Sequence, residues 1–369
     1  MLNKLVIENL KDRWVRTLLA ALVVAVQVMS ILVLMGLSRG LLQQSAERAR
    51  GSGADIFLTP DTQGTISFST GQIDAKYVPF VSKQPHVTEA VGVLSASVSG
   101  ELFTRLNGVD FPAFARLNGG FRYLQGGPPA APDDLVVDEA YAKEHKLHVG
   151  ETIRLINHNW HLAGVIRGGV LGRLIVPLTT LQQLTGNYTP PRLSEILVKV
   201  DNPALVNQVV AQLGDKLKGV LRASSLADFL DQFRVDNIPA LRSFIAVITG
   251  LAVVVGFLVV FLSMYTSVVE RTREIGILKA LGAKPVTIME ILIREAVLLA
   301  VAGCILGIAL FFIAQGVVTQ IVPASLTVVN VPDWYPIAGG IALVGAILGA
   351  IYPGLKAARQ DAIEALAYE

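Results

Sequence analysis

The chain has 369 residues, a net charge of +2 and a mean hydropathy of +0.55, with 52% hydrophobic and only 16% charged residues. A soluble domain usually carries about a quarter charged residues, so an ordinary soluble protein is excluded, and the small net charge gives nucleic acid no electrostatic footing. The single cysteine, Cys304, excludes an intrachain disulfide and reads as a small packing residue inside an apolar run.

In chain order, residues 1–16 alternate apolar and charged positions at helical spacing, with Trp14 near their end. They predict a helix lying in the inner membrane interface. Residues 17–38 are apolar for long enough to cross a hydrocarbon core, which needs about 20 residues. This stretch is too long for a signal-peptide core, and no small-x-small cleavage site follows it, so it is expected to be a retained anchor. Ser38 to Arg50 stays polar and helix-compatible until Gly51-Ser52-Gly53, which suggests a stalk.

Residues 39–243 carry the alternation of a soluble domain. Strands are expected at Asp55–Leu58, Thr65–Ser69, Val91–Ser99, Phe103–Val109, Leu135–Glu139, Glu151–Ile156, Trp160–Arg167, Leu174–Pro177 and Ile196–Val200. Helices are expected at Ala140–His145, Thr179–Leu184 and Pro203–Leu217. A turn at Asn157-His158-Asn159 would make a hairpin of two of these strands. The mixture predicts a compact α+β domain, and a second stalk from about Ser225 to Arg242, broken near Pro239.

Three further apolar runs follow, at 244–266, 296–319 and 335–353. Lys and Arg cluster in the N-terminal segment, in the link 267–295 (Arg271, Arg273, Lys279, Lys284, Arg294) and in the tail 354–369. The loop 320–334 has neither. By the positive-inside rule both termini and the link are cytoplasmic, the loop is external, and the 39–243 domain is extracytoplasmic. Gly303-x-x-x-Gly307 and Gly345-x-x-x-Gly349 place small residues on one face of the third and fourth spans and predict close helix packing. No Asp, Glu, Lys, Arg or His falls inside a span, so proton or ion coupling at the midplane is not expected.

The link has its own pattern. From Arg271 to Leu281, Ile275, Leu278 and Leu281 recur at three-residue spacing, Gly282 is a helix stop and Pro285 suits the first turn of the next helix. This predicts a short amphipathic helix between the second and third spans. Unaided, that pattern also fits a surface helix without a partner. His145, His148, His158 and His161 invite a metal or haem reading, but three-residue separation in a strand puts side chains on opposite faces. No metal site is expected. Asp133-Asp134 and Asp138-Glu139 read as a turn and helix N-terminal charges, not as a catalytic acid pair.

The run Glu270-Arg271-Thr272-Arg273-Glu274-Ile275-Gly276-Ile277-Leu278-Lys279-Ala280-Leu281-Gly282-Ala283 resembles the signature of the FtsX-like permease family, in its MacB-type ABC transporter architecture. The closing run Tyr352 to Leu366 resembles that family's C-terminal motif. Gly53-Ala54-Asp55, Leu135–Ile156 and Val176-Pro177-Leu178 are similar to its outer domain. The resemblance covers essentially the whole chain, with residues 224–369 as the permease domain. It implies a bacterial inner-membrane protein of four transmembrane helices, with a MacB-like periplasmic α+β core domain between the first and second spans. It also implies a permease dimer bound to cytoplasmic ABC ATPases, with ATP and Mg held by the ATPase and no cofactor on this chain. Motion would pass through Arg271, Arg273, Glu274, Ile275, Gly276, Leu278, Lys279, Leu281 and Gly282 as the ATPase-coupling element. In that docking Arg271, Arg273, Glu274 and Lys279 would supply polar contacts, and Ile275 and Leu278 apolar anchors. The chain contains no Gly-x-x-x-x-Gly-Lys-Ser/Thr phosphate loop, so the ATPase is expected on a separate subunit and this chain is expected to be non-catalytic. The implied function is mechanical export of an amphipathic or hydrophobic substrate, with membrane lipids and a periplasmic adaptor as further partners. Extraction of lipoproteins or lipids, and FtsX-like activation of an external cell-wall hydrolase, are the alternatives the same residues admit.

Overall fold

The computed structural model describes residues 14–61, 72–98, 104–234, 237–321 and 327–360. The interfacial helix expected over residues 1–16 lies almost wholly outside these residues, as do the strand expected at Thr65–Ser69 and most of the tail. The chain divides into two compact units. One comprises residues 41–238 with 323–325, and the other comprises residues 1–40, 239–322 and 326–369.

The second of these contains the apolar helices. Helix α1 runs Trp14–Gly51, its last residues belonging to the other unit. Among the described residues four helices are long and apolar enough to cross a membrane, and each contains one of the apolar runs. In lipid, helices gain nothing from hiding one apolar side chain against another, so close approach depends on small residues. Helix α10 (Pro285–Ile321) shows this directly. A Cβ on Gly303 would lie 2.7 Å from Val24 Cβ, and one on Gly307 would lie 2.7 Å from the Ala25 carbonyl oxygen, both on α1. The fourth long helix, α11 (Tyr335–Arg359), uses its glycines differently. A Cβ on Gly349 would stand 3.0 Å from the Phe257 carbonyl oxygen and 3.1 Å from the Phe261 nitrogen of the second long helix, whereas one on Gly345 would meet nothing within 4 Å. The sequence pairing of Gly345 with Gly349 therefore overstates the motif: only Gly349 brings backbones together.

The other unit is a mixed α/β domain. Its strands are β1 (Ile56–Pro60), β2 (Ile73–Asp74), β3 (Val87–Ser97), β4 (Arg105–Val109), β5 (Tyr123–Gly126) and β6 (Asp134–Asp138). β7 (Thr152–Leu155), β8 (His158–Ile166), β9 (Leu174–Pro177), β10 (Arg192–Leu193), β11 (Glu195–Val200) and β12 (Leu221–Ser225) follow. The main sheet has the order β12-β1-β11-β3-β4-β9-β6-β8-β5, with β7 paired to β8, and β2 pairs with β10 in a separate ribbon. β4 with β9 and β6 with β8 run parallel; the other pairs are antiparallel.

Around the sheet pack α2 (Tyr77–Ser82), α3 (Phe111–Asn118), α4 (Glu139–His145), α5 (Leu178–Leu184), α6 (Val206–Lys216) and α7 (Leu226–Asp231). Asp110 caps α3 by accepting from the Ala113 N–H at 2.9 Å, and left-handed Gly119 closes it. Asp138 does the same for α4, accepting from the Tyr141 N–H at 2.7 Å. Burial pushes the Asp138 carboxyl above its usual value, against the pull of that N–H and of Arg173. Trp160, wholly buried, anchors one core cluster with Leu135, Leu162 and Leu174.

Two expectations are revised here. The hairpin turn is Ile156-Asn157, both at positive φ, so Leu155 faces His158 and His158 already begins β8. This is the backbone that two-residue hairpin loops require. The break in the second stalk comes before Pro239: Ser225 caps the short helix α7, which ends at Asp231 and whose Phe229 ring stacks on Phe57 of β1 at 4.2 Å, and Pro239 then starts a new helix.

The glycine geometry gives a test. Gly307→Leu forces a side chain into the α1 backbone and should destabilise the detergent-solubilised chain by about 1–3 kcal/mol in thermal unfolding. Gly345→Ala, with open space before it, should leave the transition unchanged or slightly raised.

Candidate functional site

The second long helix, α8 (Pro239–Glu270), stops at Arg271, whose φ of −108° and ψ of 16° leave helical geometry. Next comes α9, Thr272–Ala280. The Thr272 hydroxyl donates back to the Val269 carbonyl at 2.8 Å, tying the start of α9 to the end of α8. α9 ends in a Schellman motif. Gly282 adopts φ +92°, its N–H bonds Lys279 O at 2.9 Å, and the Ala283 N–H bonds Leu278 O at 2.9 Å. Pro285 then opens α10 (Pro285–Ile321).

One face of α9 is turned into its own unit. Ile275 is buried with Val268, Ile288, Leu292 and Ala357. Thr272 and Gly276 are buried beside it. Arg271, only 8% exposed, sits with its Nη1 3.6 Å from Glu295 Oε2 on α10 and its Nε 3.8 Å from Glu274 Oε2. Lys279 donates from Nζ to the Ala358 carbonyl at 2.7 Å and to the Gln360 carbonyl. A cation there satisfies carbonyls that the end of α11 leaves without helical partners and complements its dipole.

Further links join the same ends of the long helices. Arg16 of α1 pairs with Glu270 of α8. Lys356 of α11 donates to the Tyr265 hydroxyl at 2.8 Å and lies 4.6 Å from the centre of that ring. A set of polar bonds thus gathers all four long helices around α9.

The other face of α9 is open. Arg273 and Glu274 are exposed, and with them Ile277 (46%), Leu281 (81%) and, at the start of α10, Val286 (75%). The residues singled out from sequence therefore separate. Arg273, Glu274, Leu281 and Gly282 lie on the open side. Arg271, Ile275, Gly276 and Lys279 are committed to internal contacts, with Leu278 half-buried between the two groups. Arg271 and Lys279, expected as polar contacts, and Ile275, expected as an apolar anchor, are here occupied by partners within the chain. Ile277 and Val286 were missed. Their signal was Ile277 and Leu281 at i, i+4 spacing, which share a face.

The histidines are spread over separate carboxylate pairings. His158 Nε2 lies 2.8 Å from Asp133, His161 Nδ1 3.1 Å from Asp134, His148 Nδ1 3.2 Å from Glu151 and His86 Nδ1 3.2 Å from Asp201. No group of three or more His, Cys, Asp or Glu among the described residues is arranged to hold a metal. Asp134 also accepts from the Ala130 and Ala131 N–H groups at 2.8 and 2.9 Å. Burial works against its ionisation, but these donors and His161 outweigh it and hold the carboxyl below its ordinary range.

Comparison with known proteins adds to this geometry. The family model described as FtsX-like permease C-terminal matches residues 246–362, and that of the MacB-like periplasmic core domain matches residues 17–216. The "Macrolide export ATP-binding/permease protein MacB" of Bdellovibrio bacteriovorus is 31% identical over 254 residues, 63% of this chain and 38% of that protein. The "Uncharacterized ABC transporter permease YknZ" of Bacillus subtilis is 24% identical over 391 residues, 96% of this chain and 95% of that one. The "Pyoverdine export ATP-binding/permease protein PvdT" of Pseudomonas putida is 23% identical over 404 residues, 98% of this chain and 60% of that protein. The chain thus spans less than two thirds of the two ATP-binding/permease relatives and nearly all of the permease.

The buried pair gives a second test. Glu295→Ala leaves the buried Arg271 guanidinium with only the exposed Glu274 carboxylate, 3.8 Å away. In unfolding of the solubilised chain it should cost less than a wholly uncompensated buried charge, which costs about 3–5 kcal/mol. Replacing both by methionine should recover most of that loss.

Proposed function

The chain belongs to the FtsX-like permease family of ABC transporter permeases with a MacB-like periplasmic core domain, and we propose that it is the permease subunit of an exporter driven by a separate cytoplasmic ATPase. The observation that carries this reading is the two-sided character of α9. One side is bonded into the ends of α8, α10 and α11 through Arg271, Ile275 and Lys279. The other presents Ile277, Leu281 and Val286 between Arg273 and Glu274. A helix with an apolar strip rimmed by charges suits a groove on a partner protein. Movement of that partner would then pull on α8, α10 and α11 together.

Basic residues in the link and at both ends support a reading with α9 on the cytoplasmic side of a bacterial inner membrane and the 41–238 unit outside it, in sequence between the first two spans. On this reading the exported substrate is amphipathic or hydrophobic; of the relatives, one is named for macrolide export and another for pyoverdine export. The substrate is moved by the outer domain, driven mechanically from within. The spans supply no ionisable midplane site that would offer a second energy source. Two copies of the permease, one on each ATPase of a pair, and a periplasmic adaptor complete the assembly, with ATP and Mg bound only by the ATPase.

The test separates the two faces of α9. Leu281→Asp should reduce co-purification of the partner ATPase by about tenfold or more while membrane levels of the permease stay normal. Ile275→Asp should instead lower the thermal stability of the permease itself. Full ATPase binding by Leu281→Asp and Ile277→Asp would reduce α9 to a surface helix and remove the basis of this assignment.

A further inference from the structure

At the far end of the long helices from α9, the segment 327–333 between α10 and α11 lies against α1. Gly36 and Gly40 stand one turn apart on the same face of α1. A Cβ on Gly40 would be 1.8 Å from the Thr327 carbonyl oxygen. One on Gly36 would be 2.6 Å from the Val329 carbonyl oxygen and 2.9 Å from Val328 Cγ1. No side chain larger than hydrogen fits at either position without moving the backbone opposite. Across this notch the Val329 N–H donates to the Gly36 carbonyl at 3.1 Å.

Three other contacts fix the segment. Val328 and Val331 are buried. Gln315 of α10 donates from Nε2 to the Val328 carbonyl at 2.8 Å. The Arg39 guanidinium forks onto both oxygens of Asp333, each at 2.7 Å, and Asp333 lies in the 3-10 turn Pro332–Trp334 that leads into α11. An exposed ion pair by itself contributes little. Here a bidentate pair, which fixes direction as well as distance, closes a segment already seated in a glycine notch and bonded to a second helix.

We infer that residues 327–333 form a clasp on α1, and that Arg39 and Asp333 are positioning residues holding α1 in fixed register against α10 and α11. The clasp makes these helix ends move as one body, so that displacement begun at α9 reaches α1 without slippage. That last consequence rests on the coupling proposed above; the clasp itself does not.

The experiment uses the full-length chain in nanodiscs, with Val328→Cys as a reporter in a Cys304→Ser background and a maleimide as the probe. Val331→Cys is a second, independent reporter. With Arg39 and Asp333 intact, labelling should be slow. Asp333→Arg should speed it about three- to tenfold, Arg39→Asp added to Asp333→Arg should restore protection, and Arg39→Lys, which cannot make the fork, should fall between. Equal rates in all variants at both reporters would overturn the clasp. In a second arm, with the partner ATPase bound, protection should persist through ATP turnover in the native pair. Rapid labelling on adding ATP would show that the segment opens and would overturn the fixed register. Failure of any ATPase to bind would count against the coupling reading alone, since the first arm decides the clasp by itself.

Discussion

Backbone-to-backbone contact between helices is the constraint on which the apolar unit depends. In hydrocarbon, one leucine against another is no better than leucine against lipid, so specificity comes from places where chains approach more closely than lipid can. Gly303 and Gly307 create such a place against α1, and Gly349 creates another against α8. Once these distances are set, little freedom remains for the polar residues at the helix ends. Arg16 falls beside Glu270, Arg271 beside Glu295 and Lys356 beside Tyr265. The glycines decide which helices touch, and the charged ends decide how far along one another they sit.

The polar ends also explain why α9 is short and well delimited. A helix of this length has almost no stability of its own. It persists because Thr272 ties its start to α8, Gly282 closes its end, and Ile275 is buried. Among the described residues nothing comparable covers its opposite side, where Leu281 projects past the last turn. Stability and availability are thus divided between two faces of one element.

How much of this could be read from the sequence depended on which residues carried each signal. The four long helices were legible because runs of about 20 apolar residues have few alternatives. β9 was legible from Leu174–Pro177, a buried run with abrupt ends. α3 was not, although Asp110, Pro112 and Gly119 frame it as cap, first turn and stop; its flanks distracted from a helix of only eight residues. Ser225 to Arg242 looked like a stalk because its polarity suits one, yet Phe229 is drawn onto Phe57, a tertiary contact no local pattern encodes. The face of α9 was misjudged for a geometric reason. Three-residue spacing lags the helical turn, so from Ile275 to Leu281 the direction swings by about 120°. Ile277 and Leu281 differ by only about 40°. Nothing in the spacing told that Arg271 and Lys279 would be drawn inward, since their partners lie on α10 and at the end of α11.

The bond from Lys279 to the end of α11 has a bearing on how the protein is made. Its acceptor at Ala358 is 79 residues further along the chain. While a ribosome is still producing the third and fourth long helices, α9 exists without the carbonyls that hold Lys279, and Ile275 exists without Ala357 to cover it. The α8 and α10 contacts of α9 can form first, but its full set of bonds is complete only once the C-terminal end of α11 is in place.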